Sequence, residues 1–382
     1  MHGGDRKAGR HAERPIESRV PSSESPQAVL IMAGGTGGHI FPGLAVAEVL
    51  RTRGIPVAWL GSAGAMETRL VPQHGIALDT ITVTGLRGKG WSRQLKAPWM
   101  LLRALLQAWR VLRRVRPRSV LSMGGFAAGP GGMVAWLQGR PLLVHEQNRV
   151  AGLTNRVLAH LARRVMTGFA DCLADHPRHE WTGNPVRADI AALEEPQQRM
   201  AGRAGPVRIL VLGGSLGARA LNTALPAVLA SALPENRPAI WHQSGARGLS
   251  EALDAYADAG VEARVDAFID DMAAAYAWAD LCVCRAGALT IAELCAAGLG
   301  ALLVPFPHAV DDHQTRNAEA LRDAGGAQIV AEADLGDPAL IATLQTLLND
   351  RSRLLAMAGA ARQLARPDAA ERIAGLCVEE AA

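Results

Sequence analysis

The stretch Ala28-Val-Leu-Ile-Met-Ala-Gly-Gly-Thr-Gly-Gly-His39 decides the fold, and it has a counterpart in Val207-Arg-Ile-Leu-Val-Leu-Gly-Gly-Ser-Leu-Gly-Ala218. Each is an apolar run of strand length that ends in glycines and leads into a helical pattern, over 43–51 and 220–229. The glycines let backbone N–H groups approach a phosphate, and the helix start behind them adds partial positive charge. Two such units predict two Rossmann-like domains that face each other across a cleft.

The rest of the chain alternates in the same way between apolar runs and helical stretches. This order predicts an α/β protein with doubly wound parallel sheets. Along the chain, strands are predicted at 57–60, 119–122, 141–145, 209–212 (within the second glycine unit), 239–242, 281–284, 302–304 and 328–330. The periodicity breaks near Gly183-Asn-Pro-Val-Arg187. We therefore expect one domain over 28–185, completed by a C-terminal helix at 364–382 that crosses back to it, and a second over 186–363.

Three features indicate the setting of the protein. The first 27 residues are polar and without periodicity, so we expect a disordered tail and no signal peptide. Nowhere do 18 consecutive apolar residues occur, which excludes a spanning helix. The five cysteines show no Cys-x-x-Cys spacing, which indicates a reduced, cytosolic environment.

The charge is unevenly distributed. From Thr80 to His145 there is no Asp or Glu against eleven Lys and Arg, which leaves 29 basic and 36 acidic residues elsewhere. Within this block Arg103, Arg110 and Arg114 lie opposite a helical face made of Leu101, Leu102, Leu105, Leu106, Trp109 and Leu112. The segment fits either a surface helix packed on its sheet or a site for an anionic surface. Nucleic acid is the weaker ligand, because aromatic content is 4% and no nucleic-acid module is present.

Six strings of residues resemble the MurG family, the N-acetylglucosaminyltransferases that convert lipid I to lipid II in peptidoglycan synthesis. The strings are Gly34-Gly-Thr-Gly-Gly-His-Ile-Phe-Pro-Gly-Leu-Ala45, His145-Glu-Gln-Asn148 with Gly152-Leu-Thr-Asn155, Thr182-Gly-Asn-Pro-Val-Arg187, Gly213-Gly-Ser-Leu-Gly-Ala218, Phe268-Ile-Asp-Asp-Met272 and Arg285-Ala-Gly-Ala-Leu-Thr-Ile-Ala-Glu293. The resemblance runs in unbroken order from about Val29 to the C terminus. It implies a GT-B fold, with the acceptor held by the first domain and the sugar nucleotide mainly by the second.

The resemblance also implies the roles of individual residues. Thr36, Gly37 and Gly38 would lie near the transferred sugar, and Asn148 would hydrogen-bond the GlcNAc. Arg187 and Ser215 would meet the nucleotide and its diphosphate. Ile269 would contact the uracil through its backbone, and Gln314, or its neighbour His313, would bind sugar hydroxyls. The UDP would lie along Ala288, Leu289, Thr290, Ile291, Ala292 and Glu293, with the Glu293 carboxylate on the ribose hydroxyls.

The expected chemistry is an inverting, single-displacement transfer. His39 is the favoured base for the acceptor hydroxyl, with Glu146 as the second candidate. From the residues alone His39 also fits a turn cap, and Glu146 fits a structural partner of the loop that follows it. The acidic pairs Asp270-Asp271 and Asp311-Asp312 are adjacent and form no Asp-x-Asp motif, so we expect neither a metal nor a cofactor.

Two other classes of function share these features. One is a UDP-GlcNAc 2-epimerase, and the other is a non-catalytic sensor of sugar nucleotides. The expected partners are UDP-GlcNAc, lipid I, an anionic membrane surface and other cell-wall synthesis proteins, with no nucleic acid. The acid-free block lies in the acceptor domain, which predicts peripheral binding to the cytoplasmic face of the inner membrane.

Overall fold

The computed structural model describes residues 27–83, 91–214, 217–232 and 237–381, and for residues 91–97 and 310 it describes the backbone alone. Two parallel sheets with flanking helices account for this part of the chain. The predicted pair of Rossmann-like domains is thereby confirmed. Nearly all of the predicted tail, residues 1–26, lies outside the described residues.

The first sheet has seven parallel strands in the order β3-β2-β1-β4-β5-β6-β7. The strands are β1 (Val29–Ala33), β2 (Val57–Ser62), β3 (Ala77–Ile81), β4 (Ser119–Gly124), β5 (Leu142–Glu146), β6 (Arg164–Thr167) and β7 (His179–Trp181). The helices between them are α1 (Gly37–Thr52), α2 (Glu67–Gln73), α3 (Trp91–Val115), α4 (Ala128–Leu137) and α5 (Leu153–Ala159).

The second sheet has six parallel strands in the order β10-β9-β8-β11-β12-β13. The strands are β8 (Arg208–Leu212), β9 (Ala239–Gln243), β10 (Arg264–Asp266), β11 (Leu281–Cys284), β12 (Ala301–Leu303) and β13 (Ala327–Ile329). The helices of this half are α6 (Ala188–Ala191), α7 (Pro196–Arg199), α8 (Arg219–Ala232), α9 (Leu249–Asp258), α10 (Met272–Trp278), α11 (Ala288–Ala297), α12 (His313–Asp323), α13 (Pro338–Leu348) and α14 (Arg351–Gln363).

Both sheets place a loop where their strand order reverses. In the first sheet this point lies between β1 and β4, and in the second between β8 and β11. Ligands of open α/β sheets bind outside the carboxyl ends of the strands at such points. The glycine loops after β1 and β8, and the start of α11 after β11, all lie there.

The C-terminal stretch forms two helices, and the second returns to the first sheet. After α14 the helix is interrupted at 364–368, a segment that contains Pro367, and α15 (Ala369–Glu379) follows. Proline lacks the N–H that a continuous helix requires. In α15, Ile373 is fully buried in the core beside α1, and the Ser119 hydroxyl donates to the carbonyl of Cys377 at 2.6 Å.

Helix α3 presents much of its apolar face to solvent. Its buried side consists of Ala104, Ala108, Val111 and Leu112. The exposed large side chains are Trp99, Leu101, Leu102, Leu106 and Trp109. Leu105 is half-buried. Of the two interpretations of this segment, packing on the sheet therefore holds for Leu112 and in part for Leu105, whereas the remaining leucines and Trp109 are exposed.

No helix of the described residues combines the length and the apolar composition that crossing a bilayer requires.

A buried carboxylate ties the second sheet to its surroundings. Asp280 precedes β11 and accepts from Arg203 Nη1 at 2.5 Å, Arg351 Nη1 at 3.2 Å and the backbone N–H of Arg208 at 3.1 Å. The side chain of Asp280 is 1% exposed. Arg203 also donates to the carbonyls of Ala277, Trp278 and Ala279 at the end of α10. The carboxylate therefore holds the arginine that caps this helix.

We expect Asp280→Ala to lower the free energy of unfolding of the second domain by about 3–5 kcal/mol, because it leaves the Arg203 guanidinium buried without its counter-ion. Urea unfolding followed by tryptophan fluorescence measures the change. Glu251→Ala is the matched control, since its partner Arg219 is 84% exposed and such surface pairs contribute about 1 kcal/mol or less. Equal shifts in the two variants would contradict this account of Asp280.

Candidate active site

The first glycine loop joins β1 to α1 at the carboxyl edge of the first sheet. Thr36 is the N-cap residue of α1, its side chain makes no cap hydrogen bond, and the first turn contains no acidic residue. Thr36 and Gly38 are exposed, and Gly37 is half-buried. The N–H groups of Gly37 and Gly38 have no helical partner at this position, so they are open to a ligand oxygen.

A buried carboxylate, which the sequence reasoning missed, holds this loop from behind. Glu67 of α2 accepts from the backbone N–H groups of Gly35 at 3.0 Å and Ser62 at 2.7 Å. A Cβ atom at Gly34 would lie 2.1 Å from Oε1 of Glu67, and one at Gly61 would lie 2.6 Å from its Cγ. The two glycines therefore make room for the carboxylate. Because Gly34 and Gly35 lie more than 30 residues before Glu67, no local sequence pattern predicts this contact.

His39 lies in the first turn of α1, and its ring reaches the loop after β5. Its Nδ1 lies 2.7 Å from Oε1 of Gln147. Nε2 of Gln147 lies 2.9 Å from both Nδ1 and the carbonyl oxygen of His145, and Nε2 of His145 lies 2.9 Å from the carbonyl oxygen of Gly183. Burial lowers the pKa of His145 to about 4, so this imidazole is neutral near pH 7.

The His39 ring also packs against the end of β4. A Cβ atom at Gly124 would lie 3.1 Å from Cε1 of His39, and Gly124 has a φ of +102°. Glycine adopts this backbone conformation without strain, and its lack of a Cβ atom leaves space for the His39 ring. The predicted base is therefore half-buried and held at the edge of the cleft.

Glu146 ends β5 and is 1% exposed. Its Oε1 accepts from the backbone N–H of Asn148 at 3.0 Å and from its side-chain amide at 3.1 Å. Its Oε2 accepts from the backbone N–H of Gly152 at 3.2 Å and from Nδ2 of Asn155 at 3.0 Å. Four donors surround this carboxylate, which is the arrangement expected of a group that shapes its loop.

Asn148 connects the two halves of the molecule. Its Oδ1 accepts from Nδ2 of Asn317 at 3.2 Å. Asn317, on α12, is fully buried, donates also to the carbonyl of Ala286, and accepts from the backbone N–H of Arg149 at 2.9 Å. Asn317 was not predicted, because nothing in its local sequence marks it. It joins the acceptor-side loop to the loop before α11.

The second domain contributes the start of α11. Gly287 is the N-cap residue without a side chain, and the first turn contains no acidic residue, so the N–H groups at this end are open to an anion. Ala288 and Ile291 are buried, whereas Leu289, Thr290 and Ala292 are half-buried. Helices α1 and α11 contact each other across the cleft. One loop links the two helix starts: Gln147 bonds His39 in the first turn of α1, and its neighbour Asn148 bonds Asn317, which donates to the carbonyl of Ala286 just before α11.

Glu293, one turn into α11, has two partners. Arg187 Nη2 lies 3.3 Å from its Oε1, and the hydroxyl of Tyr276 donates to its Oε2 at 2.9 Å. Burial raises the pKa of the Glu293 carboxyl, and the positive charge of Arg187 opposes that rise. Arg187 itself is partly exposed at the start of α6. Glu293 and Arg187, the residues predicted to bind the ribose and the nucleotide, therefore form an ion pair with each other.

The remaining predicted residues have these positions. The backbone N–H of Ile269 donates to Oε1 of Gln243 at 2.9 Å, so a backbone contact to uracil would use its carbonyl. Oε1 of Gln314 accepts from the backbone N–H of Phe306 at 2.9 Å, and His313 begins α12. Ser215 lies outside the described residues. Within the described ranges, no group of three or more His, Cys, Asp or Glu side chains is arranged to hold a metal ion.

Two family profiles match the chain. The glycosyltransferase family 28 N-terminal domain matches residues 29–167, and the glycosyltransferase family 28 C-terminal domain matches residues 208–373. The first match contains β1 to β6, and the second contains β8 to β13. Each half of the cleft thus belongs to one of the two matched domains.

Curated relatives and a solved structure match over nearly the whole chain. The UDP-N-acetylglucosamine–N-acetylmuramyl-(pentapeptide) pyrophosphoryl-undecaprenol N-acetylglucosamine transferase of Xanthomonas euvesicatoria pv. vesicatoria is 61% identical over 95% of this chain and 83% of the relative. The transferase of the same name from Xylella fastidiosa is 59% identical over 92% of this chain and 96% of the relative.

The crystal structure of Acinetobacter baumannii MurG superposes with a TM-score of 0.80 at 39% identity, over 93% of this chain and all of the other. It confirms the GT-B fold. The chain therefore belongs to glycosyltransferase family 28 and, within it, to the MurG family of N-acetylglucosamine transferases.

Proposed function

We propose that this protein transfers GlcNAc from UDP-GlcNAc to the C4 hydroxyl of MurNAc in lipid I, undecaprenyl-pyrophosphoryl-MurNAc-pentapeptide, and so forms lipid II. The observation that carries the proposal is the 61% identity to a transferase whose name states the sugar nucleotide and the lipid-linked acceptor. The uncapped starts of α1 and α11, one in each domain, supply N–H donors of the matching chemistry.

The two alternatives are less well supported. Identity near 60% over most of the chain is to transferases, and none of that similarity points to a UDP-GlcNAc 2-epimerase. A non-catalytic sensor has no use for a half-buried imidazole held at the acceptor side of the cleft. We therefore retain the transferase as the single proposal.

On the acceptor side, His39 takes the proton of the C4 hydroxyl as that oxygen attacks the anomeric carbon. The new C4–O–C1 bond forms while the bond between C1 and the β-phosphate oxygen breaks, and the configuration at C1 inverts. Glu146 is the weaker base candidate, because its two oxygens already accept four hydrogen bonds within the loop. Thr36, Gly37 and Gly38 line the same edge and contact the reacting sugars.

On the donor side, the departing diphosphate lies at the start of α11, where N–H groups stabilise its developing negative charge. Glu293 binds the ribose hydroxyls and Arg187 binds the nucleotide. The loop at 213–218, which includes Ser215, approaches the diphosphate. Asn148 and Gln314 bind sugar hydroxyls, and Ile269 meets the uracil.

An apolar surface on the first domain faces the membrane in this proposal. We define it by the exposed side chains of α3, α4 and α5, namely Trp99, Leu101, Leu102, Leu106, Trp109, Trp136, Leu137, Leu153 and Val157. Helix α4 packs against both α3 and α5, so these side chains belong to neighbouring helices. Exposed apolar groups of this extent mark an interaction site, and tryptophans favour the bilayer interface.

Basic residues accompany the apolar surface. Arg103, Arg110 and Arg113 are exposed on α3. Arg114 differs, because it forms an ion pair with Asp79 of β3. We therefore place the protein peripherally on the cytoplasmic face of the inner membrane, where anionic lipid and lipid I are available. Contacts with other cell-wall synthesis proteins stay a prediction.

The transfer is tested with labelled UDP-GlcNAc and lipid I in detergent. We expect labelled lipid II from the wild-type protein, and its absence would refute the proposed function. For His39→Ala we expect kcat to fall by about 100-fold or more while KM for UDP-GlcNAc changes less than about twofold, because a general base acts on the chemical step. If instead Glu146→Gln abolished turnover without lowering the melting temperature while His39→Ala kept it, Glu146 would be the base.

The ribose site is tested by calorimetry with UDP. Glu293→Ala leaves the ribose hydroxyls without a charged acceptor and should weaken UDP binding by about 1.5–3 kcal/mol. Glu293→Gln keeps the shape and one acceptor oxygen, so it should lose less. Wild-type affinity in Glu293→Ala would place the ribose elsewhere.

Membrane binding is tested by co-sedimentation with vesicles. We expect the triple variant Arg103→Glu, Arg110→Glu, Arg113→Glu to bind anionic vesicles at least about 100-fold more weakly, since each basic residue near the surface contributes about 1 kcal/mol. The double variant Leu102→Glu, Leu106→Glu should also bind weakly.

The control for these variants is Leu253→Glu, which changes an exposed leucine of α9 in the second domain. It should bind like the wild type. Equal binding of the wild type to neutral and anionic vesicles, or no loss in the triple variant, would exclude an electrostatic contribution from α3.

A further inference from the structure

A chain of hydrogen bonds runs from Gly183 through His145 and Gln147 to His39. The chemistry of its donors and acceptors fixes which atom carries each proton. The carbonyl oxygen of Gly183 can only accept, so Nε2 of His145, at 2.9 Å, must carry a proton. His145 has a pKa near 4 and is neutral at pH 7, so its Nδ1 has a lone pair. The first side chain of this hydrogen-bond chain, His145, is therefore in the Nε2–H tautomer.

The same logic continues through Gln147. Its side-chain nitrogen faces two acceptors, Nδ1 and the carbonyl oxygen of His145, each at 2.9 Å. The amide must therefore present its NH2 group to His145 and its oxygen to His39. Because that oxygen only accepts, Nδ1 of His39, 2.7 Å away, carries the proton. In neutral His39 the lone pair is then on Nε2, which has no hydrogen-bond partner among the described residues.

The hydrogen-bond chain is anchored at Gly183, where the polypeptide crosses between the domains. Gly183 lies between β7 and α6 with a φ of +80°, and a Cβ atom there would lie 2.4 Å from Cβ of Arg366 in the returning crossover. The neighbouring Asn184 donates from Nδ2 to the backbone carbonyl of Gln147 at 3.0 Å. Gln147 is thus held by its backbone and by its side chain, and it is 1% exposed.

We propose that Gln147 and His145 are positioning residues, and that their hydrogen-bond chain from Gly183 holds His39 in the Nδ1–H tautomer with Nε2 directed to the acceptor as the base. The inference rests on the role of His39 in the proposed function. Free imidazole in water favours the opposite, Nε2–H tautomer, which has no lone pair on Nε2. The hydrogen-bond chain therefore gives His39 the lone pair on Nε2 that an isolated neutral imidazole would mostly lack.

The tautomer is measured directly on the free, full-length enzyme labelled with 15N-histidine at about pH 8, which is above the reference pKa of an imidazole side chain in a peptide. The His39 signals are identified by their loss in His39→Ala. We expect Nδ1 of His39 to be protonated in the wild type and the Nε2–H form to increase in Gln147→Met, which has similar size, no donor and only a weakly accepting sulfur. An Nε2–H tautomer in the wild type would overturn the proposal, whether or not the enzyme makes lipid II.

Turnover provides the second measurement. Gln147→Met should lower kcat by about tenfold or more with KM for UDP-GlcNAc within about twofold, because the donor site is unchanged. His145→Leu should do the same. His145→Asn places an amide oxygen near the position of Nδ1, which still accepts from Gln147, so we expect it to recover most of the activity. Equal losses in His145→Leu and His145→Asn would indicate a packing role only and would contradict the proposal.

The matched control is His242→Leu. His242 is a fully buried imidazole in β9 of the second sheet, and burial lowers its pKa to about 4 as well. It bonds the Tyr256 hydroxyl at 3.1 Å, not the chain that leads to His39. Its replacement should leave kcat within about twofold and the His39 tautomer unchanged. A tautomer change in this control would show that the signal reports general loss of packing, which would also contradict the proposal.

Discussion

The demand of one buried carboxylate for hydrogen-bond donors shapes the acceptor side of the cleft. An ionised carboxylate out of water costs many kcal/mol unless donors surround it. Glu146 therefore draws the N–H groups of Asn148 and Gly152 and the amide of Asn155 toward the end of β5. The tight loop that results directs Gln147 back toward His145 and Asn148 across to Asn317. Both the support of His39 and the contact with the second domain follow from it.

Satisfied and open backbone donors divide the site into scaffold and binding surface. Behind the first glycine loop, Glu67 satisfies the N–H groups of Gly35 and Ser62 and so fixes the loop. In front, the first turns of α1 and α11 have neither a side-chain cap nor an acidic residue. An uncapped helix start is less stable than a capped one, but it leaves donors for phosphate and hydroxyl oxygens. These two helix starts therefore offer free donors on the side of the site where the ligand is expected.

The two domains meet through polar contacts beside the site. Asn317 bonds the loop after β5 and the loop before α11, and Arg187 pairs with Glu293. The crossover at Gly183 supports the chain that ends at His39. Apolar packing accompanies these bonds, because Ala151, Phe169 and Cys172 of the first half belong to one buried cluster with Ile291 and Cys295 of α11. The loop that supports His39 is therefore also part of the contact between the two domains.

The sequence alone determined the two strand-and-glycine-loop units, seven of the further strands and the family, because central parallel strands such as β5 and β11 are short, continuous runs of mostly apolar residues. It did not predict β3, β6, β7 or β10, which are short or partly exposed and lack that signal. Only the tertiary structure decided that Glu146 is enclosed by donors, that Glu67 supports the first loop, and that most of the apolar face of α3 points to solvent. These depend on contacts between distant segments, since local pattern specifies which face is apolar but not what covers it.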